Sequence, residues 1–111
     1  MMQKQEITEL SPGEFMNFVS GDLVIVSFYR EANMRCLMCE PIIESFVEKY
    51  PDIKFGRIDI DDSETLKEKC GVTNTPCVII YKEGKEHDKI MGDITEENLG
   101  EVIKKHKEQH A

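Results

Sequence analysis

The sequence has 111 residues, of which 40% are hydrophobic, so it is suited to one domain (residues 1–111) with a single core. Its net charge of −8, from 22 acidic and 14 basic residues, argues against nucleic acid or an anionic membrane as a partner, because like charges repel. No apolar run reaches the roughly 18 residues of a membrane-spanning helix and the N-terminus has no apolar signal core, so we expect a cytoplasmic protein with no membrane partner.

Hydrophobic periodicity and capping residues predict alternating strands and helices. Ser11, Pro12 and Glu14 have the spacing of a capping box, which predicts the start of a helix. The apolar run at residues 23–29 is typical of a strand buried on both faces. In chain order, the sequence predicts a short strand near residues 6–8, a helix from residue 12, a strand at 23–29, a helix at about 36–50, a strand at 53–60, a helix at 63–70, strands at 77–81 and 86–91, and a helix at 95–110. This order predicts an α/β fold with a mixed central β-sheet flanked by helices on both faces.

The stretch Cys36-Leu37-Met38-Cys39 holds two of the four cysteines and lies where a strand is followed by a helix. In the first turn of that helix, Cys36 would meet unpaired backbone N–H groups and the helix dipole, which stabilise a thiolate. Arg35 adds a positive charge with the same effect. Cys39 lies one turn further on, and we expect it to be more shielded. An exposed nucleophilic thiol beside a second, resolving thiol is what disulfide exchange requires.

Three stretches give the chain a resemblance to the thioredoxin family that spans its whole length. They are the strand residues 24–29, the Cys-x-x-Cys pair, and residues 72–85 with their Thr-Pro dipeptide and glycine turn. The resemblance implies the thioredoxin fold and a thiol–disulfide oxidoreductase. In that activity Cys36 attacks a substrate disulfide and Cys39 resolves the mixed disulfide.

The resemblance also implies how substrates and partners are recognised. Thr75–Pro76 would be a cis peptide bond that faces the cysteines and positions the substrate chain, with Leu37 and Met38 as further contacts. Disulfide-containing proteins would be the substrates, and a dithiol reductase would restore the reduced state. We expect a monomer with no metal and no cofactor other than the redox-active Cys36–Cys39 disulfide.

Several residues depart from the pattern of the family. Ser27 occupies the position where a buried acid commonly ends the strand, and Glu40 replaces a cation after the second cysteine. Pro41 lies near the predicted helix start, whereas the family has a proline in mid-helix. The loop before Cys36 is longer than in ordinary thioredoxins and looks like that of phosducin-like proteins, thioredoxin-domain cofactors of chaperonins that often act by binding. A redox-attenuated binding module is therefore the alternative function.

A third cysteine, Cys77, follows Pro76 where the family commonly has threonine. In the thioredoxin fold we expect its thiol close to Cys36 and Cys39. Three thiols around one point could ligate zinc or an iron–sulfur cluster, with Cys70 or a second subunit as the fourth ligand. The separation of Cys70 and Cys77 is not a zinc-knuckle spacing. The sequence therefore favours a plain buried strand residue, and the other role considered for Cys77 is modulation of the cysteine pair.

The remaining polar candidates carry weaker signals. His87, His106 and His110 lie in polar segments, and we expect them to be exposed and unpaired. Arg57 is expected either on the surface or beneath the cysteine pair.

Overall fold

The predicted strands assemble into one sheet in a computed structural model, which describes residues 6–110 without the side chains of residues 109 and 110. The elements are β1 (Thr8–Glu9), α1 (Pro12–Phe18), β2 (Val24–Tyr29), α2 (Met34–Lys49), β3 (Lys54–Asp59), a short 3₁₀ turn (Ile60–Asp62), α3 (Glu64–Lys69), β4 (Cys77–Lys82), β5 (Lys85–Met91) and α4 (Glu96–His110). Every predicted helix and strand is present, with ends that differ by two residues or fewer. The prediction for His110 as an exposed side chain lies outside the described part of the chain.

The sheet has the strand order β1-β3-β2-β4-β5. Strands β1, β3 and β2 are parallel, whereas β4 runs antiparallel to β2 and β5 antiparallel to β4. The central position of β2 explains why its side chains are buried on both faces. This arrangement confirms the predicted mixed α/β sheet, with β5 at an edge.

Apolar side chains from the sheet divide between two layers because neighbouring strand residues point to opposite faces. One layer, which we call the α1/α3 layer, contains Phe15, Phe28, Leu66 and Ile79. The other, the α2/α4 layer, contains Ile25, Ile43, Ile80 and Leu99. Within residues 6–110, no helix combines the length and the apolar content needed to cross a membrane.

His106 is buried, so the prediction of an exposed and unpaired side chain is wrong for this residue. Its Nε2 lies 2.8 Å from Oδ2 of Asp88 on β5, and Nζ of Lys105 lies 2.9 Å from the same oxygen. The reason is the helical period, since His106 follows the buried residues Leu99 and Ile103 at the spacing of one inward-facing stripe. The contact between His106 and Asp88 links the edge strand β5 to α4.

Replacing Asp88 with asparagine is expected to lower the free energy of unfolding by about 1–3 kcal/mol at neutral pH, because buried His106 loses a charged partner. Partial burial raises the pKa of Asp88, but the hydrogen bonds and charges of His106 and Lys105 together bring it below its ordinary 3.8. A lowered native pKa gives stability that is present above the unfolded-state pKa and is lost as the pH falls through the native pKa.

The difference between wild type and Asp88→Asn should therefore shrink in acid, as urea unfolding at neutral pH and at about pH 2 will measure. Asp22→Asn is the matched control, because Asp22 is exposed and lies away from this cluster. An Asp88→Asn difference that is the same at both pH values would contradict the role assigned to the carboxylate.

Candidate active site

The cysteine pair lies in the first turns of α2, directly after the loop that follows β2. The helix begins at Met34, two residues before the predicted start, because Asn33 caps it. Oδ1 of Asn33 accepts a hydrogen bond from the backbone N–H of Cys36 at 3.1 Å. Sequence reasoning missed this cap, although an asparagine three residues before the first cysteine is a recognised helix-start signal.

Both thiols of the pair are free and buried, with 5% of Cys36 and 4% of Cys39 exposed. Cys39 is shielded as expected, but Cys36 is buried to nearly the same extent, so the expectation of an exposed nucleophilic thiol is wrong. Burial, followed by negative charge on Cys36 and on Glu40, raises the pKa of Cys39 to about 11. The Cys39 side chain is consequently a protonated thiol at neutral pH.

A groove of about 390 Å³ runs past the pair. It is lined by Arg35, Met38, Cys39, Ile42, Pro76, Gly92, Asp93 and Ile94. The Thr75–Pro76 peptide bond is cis, and Thr75 is buried. The structure therefore brings Pro76, Arg35 and Met38 together with Cys39.

The first turns of α2 carry three exposed apolar side chains, of which Met38 also lines the groove. Met34 is 70% exposed, Leu37 is 53% exposed and Met38 is 68% exposed. Exposed apolar side chains of this size are typical of a surface that binds an apolar partner. Methionine side chains are flexible and can adapt to partners of different shape.

Gly92 forms the wall opposite α2 and needs the freedom of a glycine. Its φ is +90°, which side-chain-bearing residues rarely adopt, and an added Cβ would stand 3.4 Å from the side-chain nitrogen of Asn74. Its N–H donates a hydrogen bond to the carbonyl oxygen of Pro76 at 2.8 Å. This contact ties the proline segment to the end of β5.

Cys77 does not join the cysteine pair, so the expectation that its thiol lies close to Cys36 and Cys39 is wrong. It is fully buried in the α1/α3 layer together with Cys70, whereas Cys39 lies in the α2/α4 layer on the other face of the sheet. The physical reason is strand alternation, because Cys77 directs its side chain away from the face that packs against α2. Near it, the hydroxyl of Tyr81 donates a hydrogen bond to Sγ of Cys70 at 3.6 Å.

The zinc or iron–sulfur alternative needed Cys77 as a third ligand beside Cys36 and Cys39. Its position on the other face of the sheet argues against such a site. Among residues 6–110, no group of three or more His, Cys, Asp or Glu side chains is arranged to hold a metal ion.

Replacing Cys77 with alanine is expected to change the turnover of a disulfide substrate by less than about twofold, because the sheet separates it from the pair. The free energy of unfolding should fall by about 1 kcal/mol, since the change leaves a small cavity in the core. Insulin reduction and urea unfolding of the same preparation measure the two effects. A loss of turnover without a loss of stability would restore a modulating role for this thiol.

Beneath the pair, Arg57 on β3 connects three elements of the fold. Its Nη1 lies 3.0 Å from Oε1 of Glu40 on α2, and its Nε lies 3.2 Å from Oε1 of Glu9 on β1. Its guanidinium group stacks over the ring of Tyr29 at 3.9 Å from the ring centre. The Tyr29 hydroxyl donates to Oε2 of Glu9 at 2.7 Å, and burial followed by this hydrogen bond raises the pKa of Tyr29 to about 12. Of the two expectations for Arg57, the position beneath the pair is the one that the structure supports.

A small cavity of about 10 Å³ is lined by both Arg57 and Cys36. Its lining includes Cys36, Glu40, Ser27 and Pro76. Ser27 pairs with Arg57 in the register of β2 and β3, and its side chain is buried. Ser27 therefore lies near the end of β2, beneath the cysteine pair. The ion pair between Arg57 and Glu40 lies beside it.

Pro41 lies inside α2, which contradicts the expectation that it lies near the helix start. The difference follows from the Asn33 cap, which places seven helical residues before the proline in a helix of 16 residues. As proline has no N–H, the carbonyl oxygen of Leu37 receives no hydrogen bond from it.

Comparison with known proteins agrees with this geometry. The thioredoxin family model matches residues 6–105. Thioredoxin from Chlamydia caviae is 31% identical over 97 residues, which are 87% of this chain and 95% of that protein. Thioredoxin-2 from Saccharomyces cerevisiae is 39% identical over 74 residues, which are 66% of this chain and 71% of that protein.

Solved structures give the same answer. The crystal structure of oxidized mitochondrial thioredoxin 3 from Saccharomyces cerevisiae superimposes with a TM-score of 0.81 at 31% identity, covering 89% of this chain and 94% of that chain. The five-stranded mixed sheet with its four helices is the thioredoxin fold. From its family match, its relatives and its fold together, the chain belongs to the thioredoxin family, a family of thiol–disulfide oxidoreductases.

Proposed function

We propose that this protein catalyses reversible dithiol–disulfide exchange with protein substrates through Cys36 and Cys39. The observation that carries the proposal is the position of both thiols in the first turns of α2, with Cys39 and Pro76 lining one open groove. Membership of the thioredoxin family supports the same chemistry.

The reaction proceeds in two exchanges that balance. The Cys36 thiolate attacks one sulfur of a substrate disulfide, the substrate S–S bond breaks, and the other substrate sulfur leaves as a thiolate that takes up a proton. The Cys39 sulfur then attacks Cys36, giving up its proton, and the first substrate sulfur leaves in turn. Two electrons pass to the substrate, and the protein holds a Cys36–Cys39 disulfide.

Substrate recognition uses the groove beside the pair. An extended substrate segment lies along the Thr75–Pro76 backbone, with Leu37 and Met38 contacting its apolar side chains. Arg35 adds a positive charge at the same groove and favours the thiolate form of its neighbour Cys36. A dithiol reductase returns the disulfide to two thiols, so no further cofactor is needed. We place the protein in the cytoplasm as a monomer.

A redox titration tests this function. Wild-type protein is equilibrated with mixtures of reduced and oxidised glutathione, and free thiols are counted by alkylation and mass spectrometry. The proposal predicts that two of the four thiols disappear together in one two-electron transition, while Cys70 and Cys77 stay reduced in the core. A protein that keeps all its thiols across the whole range would not be a disulfide oxidoreductase.

Binding without chemistry is the second candidate, and two observations favour it. Both thiols are buried, and the same turns of α2 carry the exposed apolar side chains Met34, Leu37 and Met38. A partner that is captured equally well by wild type and by the double variant Cys36→Ser/Cys39→Ser would support this role. A partner released by dithiothreitol and lost in the double variant would support exchange.

A further inference from the structure

Two charged side chains of opposite sign line the groove beside the cysteine pair. Arg35 lies in the first turn of α2, and Asp93 follows the end of β5. Both residues are exposed, and both line the groove of about 390 Å³. Within residues 6–110, neither of them forms an ion pair, with the other or with a third residue. Their charges are therefore available to the side chains of a bound substrate.

The two charges belong to facing walls of the groove. Arg35 is part of the α2 wall, whereas Asp93 directly follows Gly92 on the wall opposite that helix. The apolar part of the lining consists of Met38, Ile42, Pro76 and Ile94. Apolar walls exclude water from a bound segment, which strengthens the attraction between opposite charges. A charge on a substrate side chain therefore affects binding more strongly here than on an open surface.

The groove meets the reacting sulfur at Pro76. This proline lines the groove, and it also lines the small cavity to which Cys36 contributes. Arg35 directly precedes Cys36 in the chain. A substrate cysteine that exchanges with Cys36 therefore holds its flanking residues at this groove.

An extended segment directs its side chains to the two walls alternately, because successive residues of a strand point to opposite faces. The substrate cysteine must point toward Cys36 on α2. The residues two positions before and after it then point the same way, toward the wall of Arg35, and lie about 7 Å from it along the chain. The residues directly before and after the cysteine point toward the wall of Asp93. Each wall thus meets its own set of substrate side chains.

We propose that Arg35 and Asp93 select substrate segments by their charge pattern, favouring acidic residues two positions from the reacting cysteine and basic residues directly beside it. The guanidinium group of Arg35 pairs with a substrate carboxylate, and the carboxylate of Asp93 pairs with a substrate lysine or arginine. The inference rests on the proposed exchange activity and names the class of segment that the exchange prefers.

The net charge of the protein does not by itself produce this preference. A surface with a net charge of −8 attracts a basic substrate whatever the order of its residues. Two peptides with the same residues in a different order have the same net charge, so only local contacts distinguish them. A pair of isomeric peptides therefore separates the proposed contacts from long-range attraction.

The first peptide contains Glu-Lys-Cys-Lys-Glu and the second contains Lys-Glu-Cys-Glu-Lys, each supplied as its disulfide-linked dimer. Both patterns are the same in either chain direction, so the direction of the bound segment does not decide the result. The rate at which reduced protein cleaves each dimer is divided by the rate with free dithiothreitol, which corrects for the intrinsic reactivity of each disulfide. The ratio of the two corrected rates is the selectivity.

The variants are Arg35→Gln, Asp93→Asn and the charge exchange Arg35→Glu/Asp93→Lys. Lys85→Gln is the matched control, because it removes one exposed positive charge at the turn between β4 and β5. Arg35 also acts on the Cys36 thiolate, but this effect is the same for both peptides and cancels in their ratio.

Wild type is expected to cleave the Glu-Lys-Cys-Lys-Glu dimer at least about fivefold faster than its isomer. Arg35→Gln and Asp93→Asn should each lower this selectivity to about twofold, Lys85→Gln should keep it, and the charge exchange should reverse it. Raising the ionic strength to about 0.5 M should bring the wild-type ratio close to one, because salt screens exposed charges.

Equal cleavage of the two peptides by wild type at low salt would overturn this inference and leave the exchange activity standing. A preference that persists in the charge exchange would do the same. Failure of wild type to cleave either peptide or to reduce insulin would overturn the exchange activity itself, and the inference with it.

Discussion

Replacing Cys36 with serine is expected to reduce disulfide turnover at least about 1000-fold, because a serine hydroxyl is not ionised at neutral pH and forms no mixed disulfide. The measurement is reduction of insulin by dithiothreitol with catalytic amounts of protein. Cys77→Ala is the control, since it also removes a buried thiol but from the other face of the sheet. A Cys36→Ser variant that retains a tenth of the activity would show that another thiol performs the attack.

Replacing Phe28 with alanine is expected to lower the free energy of unfolding by about 3–5 kcal/mol, the largest effect on stability that we anticipate. Phe28 is fully buried on the central strand and packs against Phe15 with ring centres 5.9 Å apart. Truncation leaves a cavity that the sheet cannot close, because β2 is held by partners on both sides.

Urea unfolding measures this loss, and Met16→Ala is the control. Met16 is 57% exposed, so its truncation should change the free energy of unfolding by less than about 0.5 kcal/mol. A loss below about 1 kcal/mol in Phe28→Ala would contradict this expectation, because it would mean that the α1/α3 layer closes around the cavity.

The order of elements was predictable because each one carries its own local signal. The apolar run in β2 and the capping box at Ser11 depend on neighbouring residues alone. The turn between β4 and β5 is equally local, since Glu83 and Gly84 both adopt positive φ in a tight hairpin. Local signals of this kind can be read from the sequence without knowledge of the tertiary structure.

The errors occurred where two elements meet. The side of the sheet to which Cys77 points depends on strand register, and the polar partner of His106 is Asp88, which comes from β5. Helical period alone would have placed His106 on the inward stripe of α4, so that signal was available in the sequence.

The residues of the ion-pair network around Arg57 could be identified from the sequence, but their contacts could not. Ser27 and Glu40 stood out as departures from the family, and Arg57 was a candidate for the position below the pair. The contacts that join them depend on the packing of α2 over β3 and on the approach of β1, which bring Arg57 to both Glu40 and Glu9. A pattern along one chain does not contain these distances.

The central claim is that Cys36 attacks and Cys39 resolves, and trapping the intermediate tests it most directly. Reduced Cys39→Ser protein is mixed with an oxidised protein substrate, and the covalent product is digested and identified by mass spectrometry. The account predicts one adduct per molecule, on Cys36, that dithiothreitol releases and that Cys36→Ser/Cys39→Ser does not form. An adduct on Cys70 or Cys77, or none with any disulfide substrate, would contradict it.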